Sequence, residues 1–295
     1  MRIITRPDFD GIVCAVLLKE VMGSQTPVQW AEPAEIQNGQ TYCDPQDVVA
    51  NLPLPDRCAL WFDHHISNEP RIPFKGLFRV APSAASLVYE YFGDRIDSRF
   101  GYLVQQADKI DAAQLVLDEI VHPEQHPYVL LSMTIYHHHA SDLAYCDHLV
   151  KLLGSCAIEE LLADPLVRKR CDQTIKANRE YREHLTRHTK VRGIVTVTDF
   201  RGMQPVPDGN RFLVYSLFPE TVVNVKLFYE GDLAVLKLGH SIVHRGCHVN
   251  VGQLLARYGG GGHRGAGACR FEPQRTDEIL AEILNVLEKN EPEAG

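Results

Sequence analysis

Through the first half of the chain, short apolar runs alternate with longer helix-like stretches, and each run stops on a polar residue with chemistry of its own. Residues 2–5 stop at Pro7 and deliver Asp8-Phe9-Asp10-Gly11. A second candidate strand, 40–43, ends at Asp44-Pro45, and Cys58-Ala59-Leu60-Trp61-Phe62 ends at Asp63-His64-His65. Short apolar runs bounded by polar or turn residues read as buried strands, and Pro45 would stop a ladder that reached it. Between them, residues 12–18, 87–92 (closed by Gly93) and 102–110 read as helices. Strand and helix in alternation predict a parallel α/β sheet. In such sheets, sites form at the carboxyl ends of the strands.

The second half has a different texture. Residues 166–188 carry dense alternating charge with a few Leu, Val and Ile between, which predicts a long, exposed connecting helix. From 191 on, β-branched and aromatic runs at 193–198, 212–216, 222–229 and 233–238, spaced by Gly, Pro and Asp, predict a second sheet. Helices at 251–258 and 277–289 follow. The expected architecture is an N-terminal parallel-sheet domain with its helical connector, 1–187, and a smaller C-terminal α/β domain, 190–295.

Candidate chemistry gathers at the expected strand ends. Asp8 and Asp10, at i and i+2 on an extended segment, project to the same side and could share one site; alternatively Asp10 caps the helix that follows and Asp8 is solvated. An aspartate and two adjacent imidazoles are costly to desolvate, and a divalent metal is the common compensation. Asp44 alone reads as a turn residue. Asp47 and Asp56 are expected to be solvated, Ser83 or Ser86 caps a helix, and of Asp108 and Asp111, three apart on one helix, either could face inward. Three successive imidazoles, His137-His138-His139, cannot readily converge on one ion from a helix. Gly259-Gly260-Gly261-Gly262 lets backbone N–H groups converge on an anion, with His263 and Arg264 adding directional charge.

With 295 residues, 45% of them hydrophobic, the chain suits two soluble domains. A net charge of -8 argues against a grip on duplex DNA. The eight cysteines are scattered without a CxxC pair, which points to reduced thiols and a cytoplasmic setting. No apolar stretch of about twenty residues suggests a membrane span, and no signal peptide is read.

Taken in order, Asp8-Phe9-Asp10-Gly11, Asp44, Asp63-His64-His65 and Asp108 resemble the four motifs of the DHH phosphoesterase superfamily, and the segment from Gly259 through His263-Arg264-Gly265-Ala266-Gly267 resembles the glycine-rich signature of its DHH-associated domain. The resemblance spans nearly the whole chain. It implies a hydrolase related to the oligoribonuclease/pAp phosphatases, using Mn²⁺ or Mg²⁺, one or two ions per chain. By resemblance Asp10, Asp44, His64 and Asp108 hold one ion, and Asp8 with a bridging Asp44 holds a second. Asp63 and His65 carry catalysis beside them, and Gly260, Gly261, Gly262, His263 and Arg264 bind substrate phosphate. A carboxylate-rich set with one imidazole suits Mn²⁺ or Mg²⁺ better than structural zinc. The sequence departs from the pattern twice: Ile4 stands where many relatives have a metal-binding His, and Val243 stands where an Arg is expected after Ser241, leaving Arg245 or His244 as the substitute. Expected substrates are short oligonucleotides, linear dinucleotides or pAp-like nucleotides; a polyphosphate or pyrophosphate hydrolase, or a nucleotide-binding regulator without catalysis, is the alternative. A phosphate-ended nucleotide is the expected partner, with no duplex DNA and no membrane, and a homodimer is left open.

Overall fold

The computed structural model describes residues 1–135 and 140–291, so the His137-His138-His139 run lies outside the described residues. In chain order the elements are β1 (Ile3–Thr5), α1 (Phe9–Met22), β2 (Val28–Trp30), α2 (Pro33–Gln37), β3 (Val48–Ala50), β4 (Leu60–Asp63), β5 (Gly76–Phe78), α3 (Ala84–Phe92), α4 (Gly101–Asp111), α5 (Leu117–Val121), α6 (Pro127–Met133), α7 (Ala140–Ser155), α8 (Ile158–Ala163), α9 (Pro165–His188), β6 (Thr189–Arg192), β7 (Val195–Asp199), α10 (Leu213–Leu217), β8 (Val223–Glu230), β9 (Leu233–His240), α11 (Val251–Ala256), β10 (Gly261–His263), β11 (Ala266–Phe271) and α12 (Thr276–Lys289). They form two compact units, one made of residues 1–115 and 123–172 and the other of 116–122 with 173 onward.

The first unit carries a five-stranded, wholly parallel sheet in the order β2-β1-β3-β4-β5. Strands buried on both faces need no alternation, and β1 and β3 are apolar-lined and fully buried, as the short runs predicted. Register fixes which residues meet at the carboxyl end: Thr5 lies beside Ala50, and Ala50 beside Phe62, so Arg6, Asn51 and Asp63 emerge next to one another. Helix α1 is buried from Phe9 through Leu18 and, Asp10 apart, apolar on every side, as a helix enclosed by neighbours must be; it packs against α3, α4 and α7. It begins at Phe9, earlier than expected, so Asp8 is its N-cap and Asp10 lies in its first turn. Gly11 allows this sharp entry, because a Cβ there would overlap the Arg6 carbonyl oxygen.

Two expectations fail here. Residues 40–43 form no strand, and Asp44 lies in a turn before β3, at the amino end of the sheet. Asp47 is not solvated: its carboxylate is fully buried and accepts from the Arg2 backbone N–H at 2.8 Å, Arg2 Nη2 at 2.6 Å and the Asp44 N–H at 2.9 Å. Burial pushes the Asp47 carboxyl up, but the Arg2 side chain and the two backbone donors outweigh it and hold it below the usual range.

The second unit is a six-stranded mixed sheet, β10-β11-β9-β8-β7-β6, in which only β7 and β8 run parallel. Val223, Val225 and Leu227 of β8 and Leu236 and Leu238 of β9 meet Leu254 and Leu255 of α11 and Ile279, Ile283 and Leu287 of α12 in its core. Residues 212–216, expected as a strand, form the short helix α10 instead. Helix α9 is less exposed than its charge suggested: Val167, Cys171, Thr174, Asn178, Tyr181 and Leu185 are buried, a stripe at helical spacing between solvated flanks. The glycine run is also a structured element. Gly261–His263 pair with Ala266–Ala268 as a hairpin, and a Cβ on Gly262 would overlap the Ala266 carbonyl. No helix among the described residues is long and apolar enough to cross a membrane, and all eight cysteines are free thiols.

Candidate active site

Asp63 closes β4 fully buried, a position that would be unfavourable for a carboxylate without donors. It has four. Oδ1 accepts from the His64 N–H at 2.8 Å, the His65 N–H at 3.3 Å and His65 Nδ1 at 2.8 Å, and Oδ2 accepts from Asn68 Nδ2 at 2.6 Å. Asp63 therefore fixes the backbone turn of the tripeptide and the ring of its last member. The hydrogen bond to Asp63 raises the His65 pKa above the usual imidazole value, against the pull of burial.

His64 turns the other way. Its ring is only 8% exposed, and Nδ1 lies 3.0 Å from the Ala81 carbonyl, which can only accept, so the Nδ1 proton is held there and the lone pair sits on Nε2. Nε2 is buried and has no hydrogen-bond partner among the described residues. It faces Asp111 Oδ2 at 3.4 Å and Asp10 Oδ2 at 3.8 Å, and ligand atoms of these three residues lie within 4.8 Å of one another. An imidazole lone pair buried between two carboxylates repels both oxygens; a divalent cation would satisfy all three. The residues present fit a metal.

The N-terminus of α3 supports this arrangement. Asp10, fully buried, accepts from the Ala84 N–H at 2.9 Å and the Ala85 N–H at 2.8 Å, one on each oxygen. Those are first-turn amides of α3, where the helix dipole favours an anion. Ser83 caps the helix, accepting from the Ser86 N–H at 3.1 Å and donating to Asp108 at 2.6 Å. Asp108, expected as a ligand, thus anchors the cap, while Asp111, one turn on, faces His64. Burial, with Asp111 and Asp8 nearby, still pushes the Asp10 carboxyl well above its usual range.

Asp8 sits beside this group, 28% exposed. Oδ1 accepts from the Gly11 N–H and from Asn51 Nδ2, both at 2.9 Å, and Oδ2 lies 3.3 Å from Arg6 Nη1. Burial pushes its carboxyl up to about 6 despite Arg6. The structure thus brings together Asp8, Asp10, Asp63, His64 and His65 of the expected residues, adds Asp111, and leaves out Asp44. The residue at the carboxyl end of β3 is Asn51, which the sequence reading missed because it sought carboxylates; Asn51 ends the run Val48-Val49-Ala50 just as Asp63 ends its own. Arg6, Asn68 and Ser83 were also overlooked as partners of the carboxylates.

In the second unit, the Gly260 N–H donates to the Leu255 carbonyl at 3.0 Å and Gly261, Gly262 and His263 enter the hairpin ladder, so the run is not a nest of four converging amides. His263 and Arg264 lie exposed at its turn, with Arg264 Nη2 3.4 Å from the His248 carbonyl. Arg245 is exposed, and Ser241 is buried, accepting from the Val243 and His244 N–H groups.

The directions of these shifts predict how the metal-free protein responds to pH. Asp8 and Asp10 titrate higher when folded than their usual value near 3.8, so between there and about 6 the folded state holds protons the unfolded chain has released, and stability falls as pH rises. The stabilisation from His65 is present below its ordinary value of 6.5 and is lost as pH rises through its higher folded value. Both act in one direction. Urea denaturation in EDTA is expected to give higher stability at about pH 5.5 than at about pH 8; the opposite order would contradict the buried acidic cluster.

No protein-family model and no curated protein matches the chain. Solved structures do. The chain is similar to a pGpG-specific phosphodiesterase, PggH, from Vibrio cholerae, with a TM-score of 0.85 over 98% of this chain and 99% of that one, at 28% identity. It is also similar to the DHH domain of a protein assigned to a family of ribosomal proteins (TM-score 0.64, 13% identity, 98% and 87% covered). A third is RecJ from Thermus thermophilus in complex with Mn²⁺ (TM-score 0.57, 12% identity, 99% of this chain and 52% of that one). At such identities the last two likenesses are ones of fold.

Proposed function

We propose, for a chain that belongs to the DHH phosphoesterase family and is thus a hydrolase of phosphoester bonds, a narrower activity: divalent-metal-dependent hydrolysis of short phosphate-ended nucleotides, foremost linear dinucleotides of the pGpG kind. The observation that carries this reading is the buried, unpartnered Nε2 of His64 between Asp10 and Asp111. Those three residues would hold Mn²⁺ or Mg²⁺. When bound, such an ion supplies Lewis acidity toward a phosphoryl oxygen and lowers the pKa of water.

The chain's own groups do the rest. The Ala84 and Ala85 amides hold Asp10 in place from behind. Asp63 keeps the Nδ1 proton of His65, so its second ring nitrogen is the one offered to a phosphoryl oxygen. The raised pKa of His65 favours a proton there as charge develops. His263 and Arg264 are the proposed phosphate contacts of the second unit. The full-length likeness to a pGpG-specific enzyme favours dinucleotides over polyphosphate.

Purified protein should be offered pGpG, pApA, pAp, short RNA and polyphosphate with Mn²⁺, Mg²⁺ or EDTA. Mononucleotide release from dinucleotides that EDTA abolishes is expected. Release from polyphosphate alone would overturn the substrate assignment, and full turnover in EDTA would overturn the metal.

A further inference from the structure

Arg6 and Asn51 follow directly on Thr5 and Ala50, which are paired across β1 and β3. They therefore stand side by side at the end of the sheet where the carboxylates gather. Asp8, between them, has its oxygens committed: Oδ1 to the Gly11 N–H and Asn51 Nδ2, Oδ2 to the Arg6 guanidinium. Arg6 is itself held from the far side by Glu32, with Nε 3.3 Å from Oε2.

Asn51 is oriented by this arrangement. An ionised carboxylate only accepts, so the amide nitrogen must face Asp8, and Oδ1 is left buried without a hydrogen-bond partner among the described residues. The residue is 1% exposed and has φ +56, a left-handed conformation that Asn and Asp tolerate better than most. The carboxamide adds an oxygen at the site and no charge. Two positions inward from Arg6, Ile4 is fully buried and offers no ligand.

We infer that the site takes a single divalent cation, at His64, Asp10 and Asp111, and that the Arg6 guanidinium is the second positive charge of the site, a fixed cation standing where a second metal ion would need Asp8. The inference rests on the reading above that the His64 group holds a metal. A second ion would have to displace Arg6 from Asp8, compete with two donors for Oδ1 and accept a neutral amide as its neighbour. Two dications bring four positive charges, against three carboxylates in Asp8, Asp10 and Asp111, one of them already shared with Arg6. A guanidinium needs no loading and presents its remaining fork of donors to phosphoryl oxygens.

The test is Mn²⁺ stoichiometry by equilibrium dialysis together with the EPR spectrum of the bound ion, neither of which needs a substrate. Wild-type protein is expected to bind one Mn²⁺ per chain with an uncoupled spectrum. The double variant Arg6→Gln/Asn51→Asp, which supplies a carboxylate and frees Asp8, is expected to bind two with spin coupling. Wild type binding a coupled pair overturns the inference; so does a double variant that stays at one ion. Arg6→Gln alone should keep the Mn²⁺ affinity and lose about 100-fold in kcat/KM; unchanged turnover overturns the role given to Arg6. If no phosphoester is cleaved at all while one Mn²⁺ binds, the proposed function falls and the stoichiometry stands.

Discussion

His64→Ala is expected to weaken Mn²⁺ binding by more than about 100-fold and kcat by about 1000-fold, or about 4 kcal/mol of transition-state stabilisation, without unfolding the protein. The ring is held at Nδ1 by one backbone carbonyl, and its other nitrogen has no hydrogen-bond partner among the described residues. Removing it deletes a buried polar atom that nothing satisfies, so the metal-free variant loses ring packing but sheds a desolvation cost. The two effects oppose, and its stability in EDTA should stay within about 1 kcal/mol of wild type. Mn²⁺ titration by EPR and denaturation in EDTA check both halves. A variant that keeps its affinity would remove His64 from the metal site.

Asp63→Asn is expected to fail differently. All four partners of the Asp63 carboxylate are donors, and an amide NH₂ must turn toward at least one of them. The variant should lose about 2–4 kcal/mol of stability and about 100- to 10,000-fold in kcat, because the His65 ring then faces a neutral amide in place of the carboxylate that fixes its tautomer and its proton. The pH profile separates orientation from general damage. His65 titrates above its ordinary value because of Asp63, so its limb should move to lower pH in the variant. A profile that drops in height without moving would assign His65 no proton-holding role.

Much of this was legible in the residue pattern, for a physical reason. A parallel sheet buries its strands on both faces, so each strand reads as a short apolar run, and the first polar residue after it is where the chain emerges. That logic found Asp63-His64-His65 and the Asp8–Asp10 turn. It fails at Asp44, because Pro45 marks no strand end: the run that pairs is Val48–Ala50 and the polar residue after it is Asn51. The choice between Asp108 and Asp111 depends on how α4 packs against α1 and α3, a tertiary quantity that local spacing does not contain. Asp47 was misread for a similar reason: its partner, Arg2, is 45 residues away in sequence. In the second unit, residues 212–216 carry β-forming side chains and still fold as a helix, since composition over so short a run yields to packing. For the glycine run, close packing in the β10–β11 hairpin accounts for Gly262 before any ligand is invoked.

A cation at His64, Asp10 and Asp111 that drives phosphoester hydrolysis would separate two variants, Asp111→Ala and Asp44→Ala, in Mn²⁺-dependent pGpG cleavage. The geometry predicts a loss of about 1000-fold for Asp111→Ala and a change within about threefold for Asp44→Ala, which lies at the other end of the sheet. Activity lost with Asp44 and kept without Asp111 would contradict it.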